Sequence, residues 1–106
     1  MTRSLLVSVR AVADLHEIWH YSLGNWGEDQ ADRYLDELAE GMRACAEQPS
    51  HGRRRDELRD GYWSLRIRRH VVFYKFDDES MLVQRVLHGA MDPALHVEDG
   101  AADADA

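Results

Sequence analysis

The absences in this sequence narrow its class before any motif does. There is one cysteine, Cys45, in 106 residues, so no disulfide can close within the chain, and a reducing compartment, the cytoplasm, is the expectation. No cysteine motif surrounds it, and Cys45 reads as a small buried hydrophobe. No apolar run approaches the length of a membrane span, so the protein should be soluble. The opening Leu5-Leu6-Val7 is too short for a secretory core segment and reads as part of a first strand, Ser4 to Val9. No internal repeat is visible. Positive net charge is also missing: the formal value is −7, which argues against direct binding to nucleic acid or to an anionic membrane. Proline occurs twice; Pro49 closes a helix, and Asp92-Pro93 opens a terminal turn expected over Ala94 to Val97.

What remains suffices for one core and is too small for two. The domain is expected over residues 1–97, with an acidic tail, 98–106, that has nothing to bury and should be disordered. Charge is unevenly spread: residues 1–50 sum to −5, residues 51–91 to +3 and residues 92–106 to −5. The basic middle coincides with the stretch around which the chain is organised, Glu57 to His88. There Trp63, Leu65 and Ile67 alternate with Tyr62, Ser64, Arg66 and Arg68, a period of two that gives a strand one dry and one wet face. The wet face is aromatic and basic. Val71, Val72, Phe73, Tyr74 and Phe76 follow after only Arg69 and His70 and predict the antiparallel neighbour. After a turn at Asp77 to Ser80, Met81, Leu82, Val83, Val86 and Leu87 supply a third strand. Asp60-Gly61 is a tight-turn pair that can start the meander with a short extra strand at Glu57 to Arg59. The expectation is a twisted antiparallel sheet buried on one side.

Upstream, Ala11 to Trp26 carries Val12, Leu15, Trp19 and Trp26 at helical spacing, with Ile18 beside the stripe. Asn25-Trp26-Gly27 ends that helix. A second opens with Glu28 and Asp29 in its first turn, where exposed amides favour acids. Its stripe, Ala31, Tyr34, Leu35, Leu38, Met42, Cys45 and Ala46, runs toward Pro49. The two form a hairpin whose stripes belong on the dry face of the sheet. The fold class is therefore α+β: an N-terminal strand, a two-helix hairpin, then a three-to-four-stranded antiparallel meander. The link from Pro49 to Asp56 is polar, and its arginines should be solvated.

Three constellations could carry function. His16-Glu17-Ile18-Trp19-His20 is a literal H-E-x-x-H, whose i, i+4 histidines can share a zinc ion. The pair lies beside the apolar stripe and no third ligand follows closely, so both histidines read as solvent-facing; no metal and no cofactor is expected. Glu57, Arg66 and His88 could form a ribonuclease site of base, phosphorane-stabilising cation and acid. A structural histidine is an equal reading of His88. Tyr62, Arg66 and Arg68 on the wet face, with Arg54 and Arg59 close in sequence, could cradle a phosphate or a carboxylate-rich peptide. The tryptophans divide: Trp19 and Trp63 read as core, with Trp63 able to serve a partner, and Trp26 at the helix corner reads as partner surface.

The run DLHEIWHYSLGNWGEDQADRYLDEL, then P-x-x-G-R, then DELRDGYWSLRIRRHVVFYKF and RVLHGAMD, resembles the ParE toxins of bacterial toxin-antitoxin pairs, within the RelE/ParE superfamily. The likeness spans Leu5 to about His96. It implies a toxin that poisons DNA gyrase by binding it and is neutralised by a ParD-like antitoxin in a hetero-oligomeric complex. It implies no agreed catalytic set, so the toxin is not expected to be an enzyme. Partner binding would fall to Trp26, Arg54, Arg59, Tyr62, Trp63, Arg66 and Arg68. Gly61-Tyr62-Trp63-Ser64 with Arg66 and His88 also resembles the ribosome-dependent mRNA endonucleases of the RelE/YoeB type, which keeps the nuclease set of Glu57, Arg66 and His88 as the alternative. Those nucleases place an aromatic beside the histidine, where this chain has Gly89, and they are expected to be basic.

Overall fold

The computed structural model describes residues 3–91 and 93–95. Strand β1 (Ser4–Val7) leads into helices α1 (Val9–Trp26) and α2 (Glu28–Glu47), followed by a single 3-10 turn, Pro49–His51. Strands β2 (Arg53–Arg54), β3 (Trp63–Ile67), β4 (His70–Phe76) and β5 (Ser80–His88) come next, and a second 3-10 turn, Pro93–Leu95, follows. The strands form one sheet in the order β1-β5-β4-β3-β2, antiparallel except that β1 runs parallel to β5. The α+β reading holds. The terminal turn begins at Pro93; its expected end and the acidic tail lie outside the described residues.

Local chemistry sets the helix ends. Ser8 caps α1: its hydroxyl accepts the Ala11 amide at 3.0 Å and donates to the Gln84 carbonyl at 2.9 Å, fixing the helix start to β5. This capping also ends the first strand at Val7, two residues earlier than the pattern predicts. Gly27 is the whole corner between the helices. Its φ of 90° is inexpensive only for glycine; its amide closes α1 on Leu23 and its carbonyl receives Ala31 of α2. The α2 stripe is buried as expected, with Ala31, Leu38, Met42, Cys45 and Ala46 inside. It packs on the sheet face carrying Val72, Tyr74, Met81, Val83 and Val86.

Four expectations change. The fully buried residues of α1 are Ala11, Asp14, Ile18 and Ser22; of the Val12-Leu15-Trp19-Trp26 stripe, Leu15 packs half-buried against the core, whereas Val12 is 44% exposed and Trp26 is exposed. Small residues that allow close approach, and an aspartate paired to an arginine, select this face; a search for bulky apolar residues passes over both. Trp19 is accordingly half-buried, its indole bonded to Asp32 at 2.9 Å. Second, the sheet is apolar on both sides. Tyr62, Phe73 and Leu87 form a smaller cluster on the far side with Leu58 and Val71. Tyr62, at 0% exposure, is therefore not a residue of a solvated face.

Third, the extra strand is Arg53–Arg54, paired to Ser64 and Trp63. Glu57 to Arg59 instead turn back: the Leu58 and Arg59 amides bond the Arg55 carbonyl, and Asp56 accepts the Gly61 amide at 3.0 Å. This Asx-type closure competes with strand pairing and wins. Fourth, Arg55 in the polar link is not solvated. It bonds Glu57 at 2.7 Å and Ser64 at 3.3 Å, and its guanidinium lies 5.7 Å from the Phe73 ring centroid.

Candidate functional site

An open cleft of about 990 Å³ runs between the C-terminal part of α1, the start of α2 and the edge of the sheet where β3 turns into β4. Its floor is ionic. Arg85 grips Asp14 through two bonds, Nε to Oδ2 at 2.8 Å and Nη2 to Oδ1 at 2.9 Å, and the Val86 amide adds a third at 2.9 Å. Both residues are buried, so the charges neutralise each other where water is scarce. A β-bulge makes this possible. Phe73 faces Arg85 and Tyr74 faces Val83, leaving Gln84 as the extra residue in β5.

The wall above the floor is the two-residue turn Arg68-Arg69, which joins Ile67 to its partner His70. Arg68 has φ 57°, a left-handed value that such a turn demands and that disfavours a side chain. Bonds from three sides hold the turn. Arg66 Nε donates to the Arg68 carbonyl at 3.0 Å, the Arg69 amide donates to Tyr34 Oη at 3.2 Å, and the Gly89 amide donates to the Arg69 carbonyl at 2.9 Å. Arg68 itself bridges to Glu37 of α2 at 2.9 Å.

Inside the cleft, Tyr34 Oη meets His70 Nδ1 at 2.6 Å. The His70 and His88 rings pack edge to face with centroids 5.4 Å apart, since these residues are register partners on β4 and β5. Burial, then His88, then Arg69 disfavour a charge on His70 and bring its pKa down to about 4, so it is neutral at physiological pH. Burial likewise raises the Tyr34 pKa. At the mouth, Tyr21 and Trp26 make an edge-to-face pair and the Arg69 guanidinium sits 5.5 Å from the Trp26 ring centroid. Met91, also exposed, lines the same cleft. Exposed Trp, Tyr, Met and Arg together are the composition of a protein-binding surface.

The structure divides the sequence-predicted residues between two ends of β3. Trp26, 52% exposed, and Arg68 belong to the cleft. Arg66 stands behind the turn with its guanidinium against Gly89, where an added Cβ would meet Nη1 at 2.8 Å. Arg54 and Arg59 are exposed at the other end, about four strand rises or roughly 13 Å along the sheet. There Arg54 bonds Asp56 at 2.8 Å and lies over Trp63. Trp63 is half-buried, packed on Phe76 and the helix-side core. Of the nuclease set, Arg66 and the exposed His88 share the turn end of the sheet, whereas Glu57 is bonded to Arg55. His16 and His20 are exposed on α1.

Sequence reasoning passed over Tyr34, His70, Arg69, Tyr21 and the Asp14–Arg85 pair as site residues. In the sequence Tyr34 reads as part of the α2 stripe, and His70 as part of a turn. An aspartate at the edge of an apolar stripe was the one local signal, and its partner lies 71 residues away.

Comparison with known proteins places the chain in a family. A family model described as "ParE toxin of type II toxin-antitoxin system, parDE" matches residues 5–93. The chain is 42% identical over 93 residues to "Toxin ParE1" of Mycobacterium tuberculosis, covering 87% of this chain and 95% of that protein. It is 40% identical over 91 residues to "Toxin ParE1" of Caulobacter vibrioides, covering 86% and 94%. Among solved structures, a chain of "Chromosomal ParDE TA system from P. aeruginosa" superposes with a TM-score of 0.71 at 17% identity, covering 82% of this chain and 96% of that one. That likeness is one of fold. With the family model spanning nearly all of the folded region and both relatives matching over most of their length, the chain belongs to the ParE toxin family of type II toxin-antitoxin systems.

Proposed function

We propose that this toxin acts by binding, that its target is DNA gyrase, and that a ParD-like antitoxin neutralises it by occupying the cleft. The observation that carries the reading is the ParE family match over residues 5–93. The cleft supports it: Tyr21, Trp26, Met91 and Arg69 offer amphipathic anchors, and the turn that forms one wall is held by hydrogen bonds from three sides. No bond-making step is assigned to it. Gyrase works on the chromosome, so a gyrase target goes with a cytoplasmic toxin.

Purified toxin is expected to inhibit gyrase supercoiling or to trap cleaved DNA, and equimolar antitoxin to reverse this. Supercoiling that continues unchanged at excess toxin removes gyrase as the target. The endonuclease alternative keeps one supporting observation, the approach of Arg66 to Gly89 beside His88. It requires transcript cleavage during translation that disappears in His88→Ala. Its third member, Glu57, makes a salt bridge to Arg55 that holds its carboxyl below the usual range. A charged carboxylate tied to a guanidinium is a weakened base.

A further inference from the structure

We propose that Tyr34, His70, His88 and Arg69 form a carboxylate anchor, a subsite of the cleft that holds one aspartate or glutamate side chain of a partner protein. The inference deepens the binding reading above and rests on it for the partner. The Arg69 amide donates to Tyr34 Oη, and we assign the phenol proton to His70 Nδ1, an assignment that puts the His70 proton on Nε2. The Ala90 amide donates to His88 Nδ1 at 3.1 Å, which places that ring's proton on Nε2 as well. Two neighbouring rings thus present N–H donors, and neither Nε2 has an acceptor among the described residues. The Arg69 guanidinium is held over Trp26 by its face, which leaves its N–H groups to bond elsewhere. It has no carboxylate partner among the described residues, whereas Arg68 and Arg85 have Glu37 and Asp14.

A set of donors with one cation and no acceptor is complementary to a carboxylate. It is also complementary to phosphate, and the surroundings decide between them. The chain carries −7 overall, so a polyanionic nucleic-acid backbone is repelled far more than a single acidic side chain. Exposed Tyr21, Trp26 and Met91 suit the apolar side chains that would flank such an acid in a peptide. Neutral His70 donates without adding a second charge to desolvate.

The test is NMR of the histidine rings in the full chain, titrated with N-acetylglutamate α-amide, with its glutamine counterpart and with inorganic phosphate. Saturable shifts of His70 and His88 are expected with the glutamate probe only. Arg69→Gln should weaken binding fivefold or more, and Tyr34→Phe, which releases the His70 tautomer, at least twofold; Arg43→Gln, exposed on α2, should leave it unchanged. No ring shift, or equal shifts with the glutamine probe, overturns the proposal. A stronger response to phosphate also overturns it, in favour of a nucleic-acid backbone. Because the assay contains no gyrase, the two readings fail separately. Gyrase inhibition without ring shifts sinks the anchor alone, and ring shifts without inhibition sink the gyrase target alone.

Discussion

The two ends of β3 are both rich in arginine and aromatic side chains, yet they are organised for different purposes. At the β2 end, Arg54 and Arg55 close on Asp56 and Glu57, carboxylates two residues away, and Trp63 turns into the core. Around the cleft, the acids come from other elements, Asp14 on α1 and Glu37 on α2, and Arg69 stacks on a tryptophan from a third place in the chain. Local pairs satisfy their arginines without shaping a surface. Long-range pairs hold two helices and a sheet apart at a set distance, and the space between them is the cleft.

That difference can be broken most severely at the floor. Asp14→Ala leaves Arg85 charged and buried, and a buried pair cut in half is expected to cost about 3–5 kcal/mol. Urea denaturation should show a large drop in midpoint. Replacing both partners together, Asp14→Leu with Arg85→Met, should recover most of that loss, because the desolvated charge leaves with its partner. At the other end, Asp56→Asn should hardly move the midpoint. A small effect of Asp14→Ala would mean that water reaches the pair and that the two ends are alike after all.

The β2 end has its own requirement, one of space. A Cβ on Gly52 would collide with the Tyr74 hydroxyl and approach the Ser64 carbonyl to 2.8 Å. The Tyr74 hydroxyl donates to the Pro49 carbonyl at 2.6 Å in a buried setting, so moving it aside would break that bond. Gly52→Ala should therefore cost about 1–3 kcal/mol by overpacking. Adding Tyr74→Phe should relieve part of the clash; in a thermal-melt series the double variant is expected to lie above the sum of the singles.

How much of this was legible follows the same division. The α2 stripe, the corner at Gly27 and the β3–β4 pairing are consequences of period, propensity and glycine chemistry within a few residues, and they read directly from the chain. The buried face of α1 did not, because Asp14 and Ser22 are inside for reasons set by Arg85 and by close packing, not by their own hydropathy. Tyr62 misled because alternation assumes one dry face, and the returning loop with Leu58 makes a second. The cleft was hidden most completely. Tyr34, His70 and Trp26 come together only after the chain has closed.

His70 gives the cleft a pH signature that the β2 end lacks. Its folded pKa of about 4 lies below the ordinary 6.5, so the unfolded chain takes up the proton first. Stability is therefore full above pH 6.5 and falls as pH drops through that value toward 4. The ring is half-exposed, so the loss should be on the order of 1–2 kcal/mol, about half of what the whole shift would imply. Thermal melts between pH 7 and pH 5 should slope downward with acid, and His70→Gln should flatten the slope. Asp56 and Asp77, whose carboxyls are held low by hydrogen bonds to Gly61 and to Glu79 and Ser80, lose their contribution only at lower pH. An unchanged slope in His70→Gln would assign the effect to another group.

The smallest effect on stability should accompany the largest contrast in function. Trp26 and Arg54 are both exposed, so Trp26→Ala and Arg54→Ala should each shift stability by only about 0.5 kcal/mol. If the cleft is where a partner docks, removing the Trp26 ring should raise the concentration needed for half-inhibition of supercoiling about tenfold, roughly 1.4 kcal/mol of lost binding. Arg54→Ala should change it less than twofold, since that guanidinium is already bonded to Asp56. The opposite ranking would move the docking surface to the β2 end and make the cleft a by-product of helix spacing. Equal losses from both would mean a partner long enough to span the roughly 13 Å between the two ends of β3, as an extended peptide crossing the sheet would.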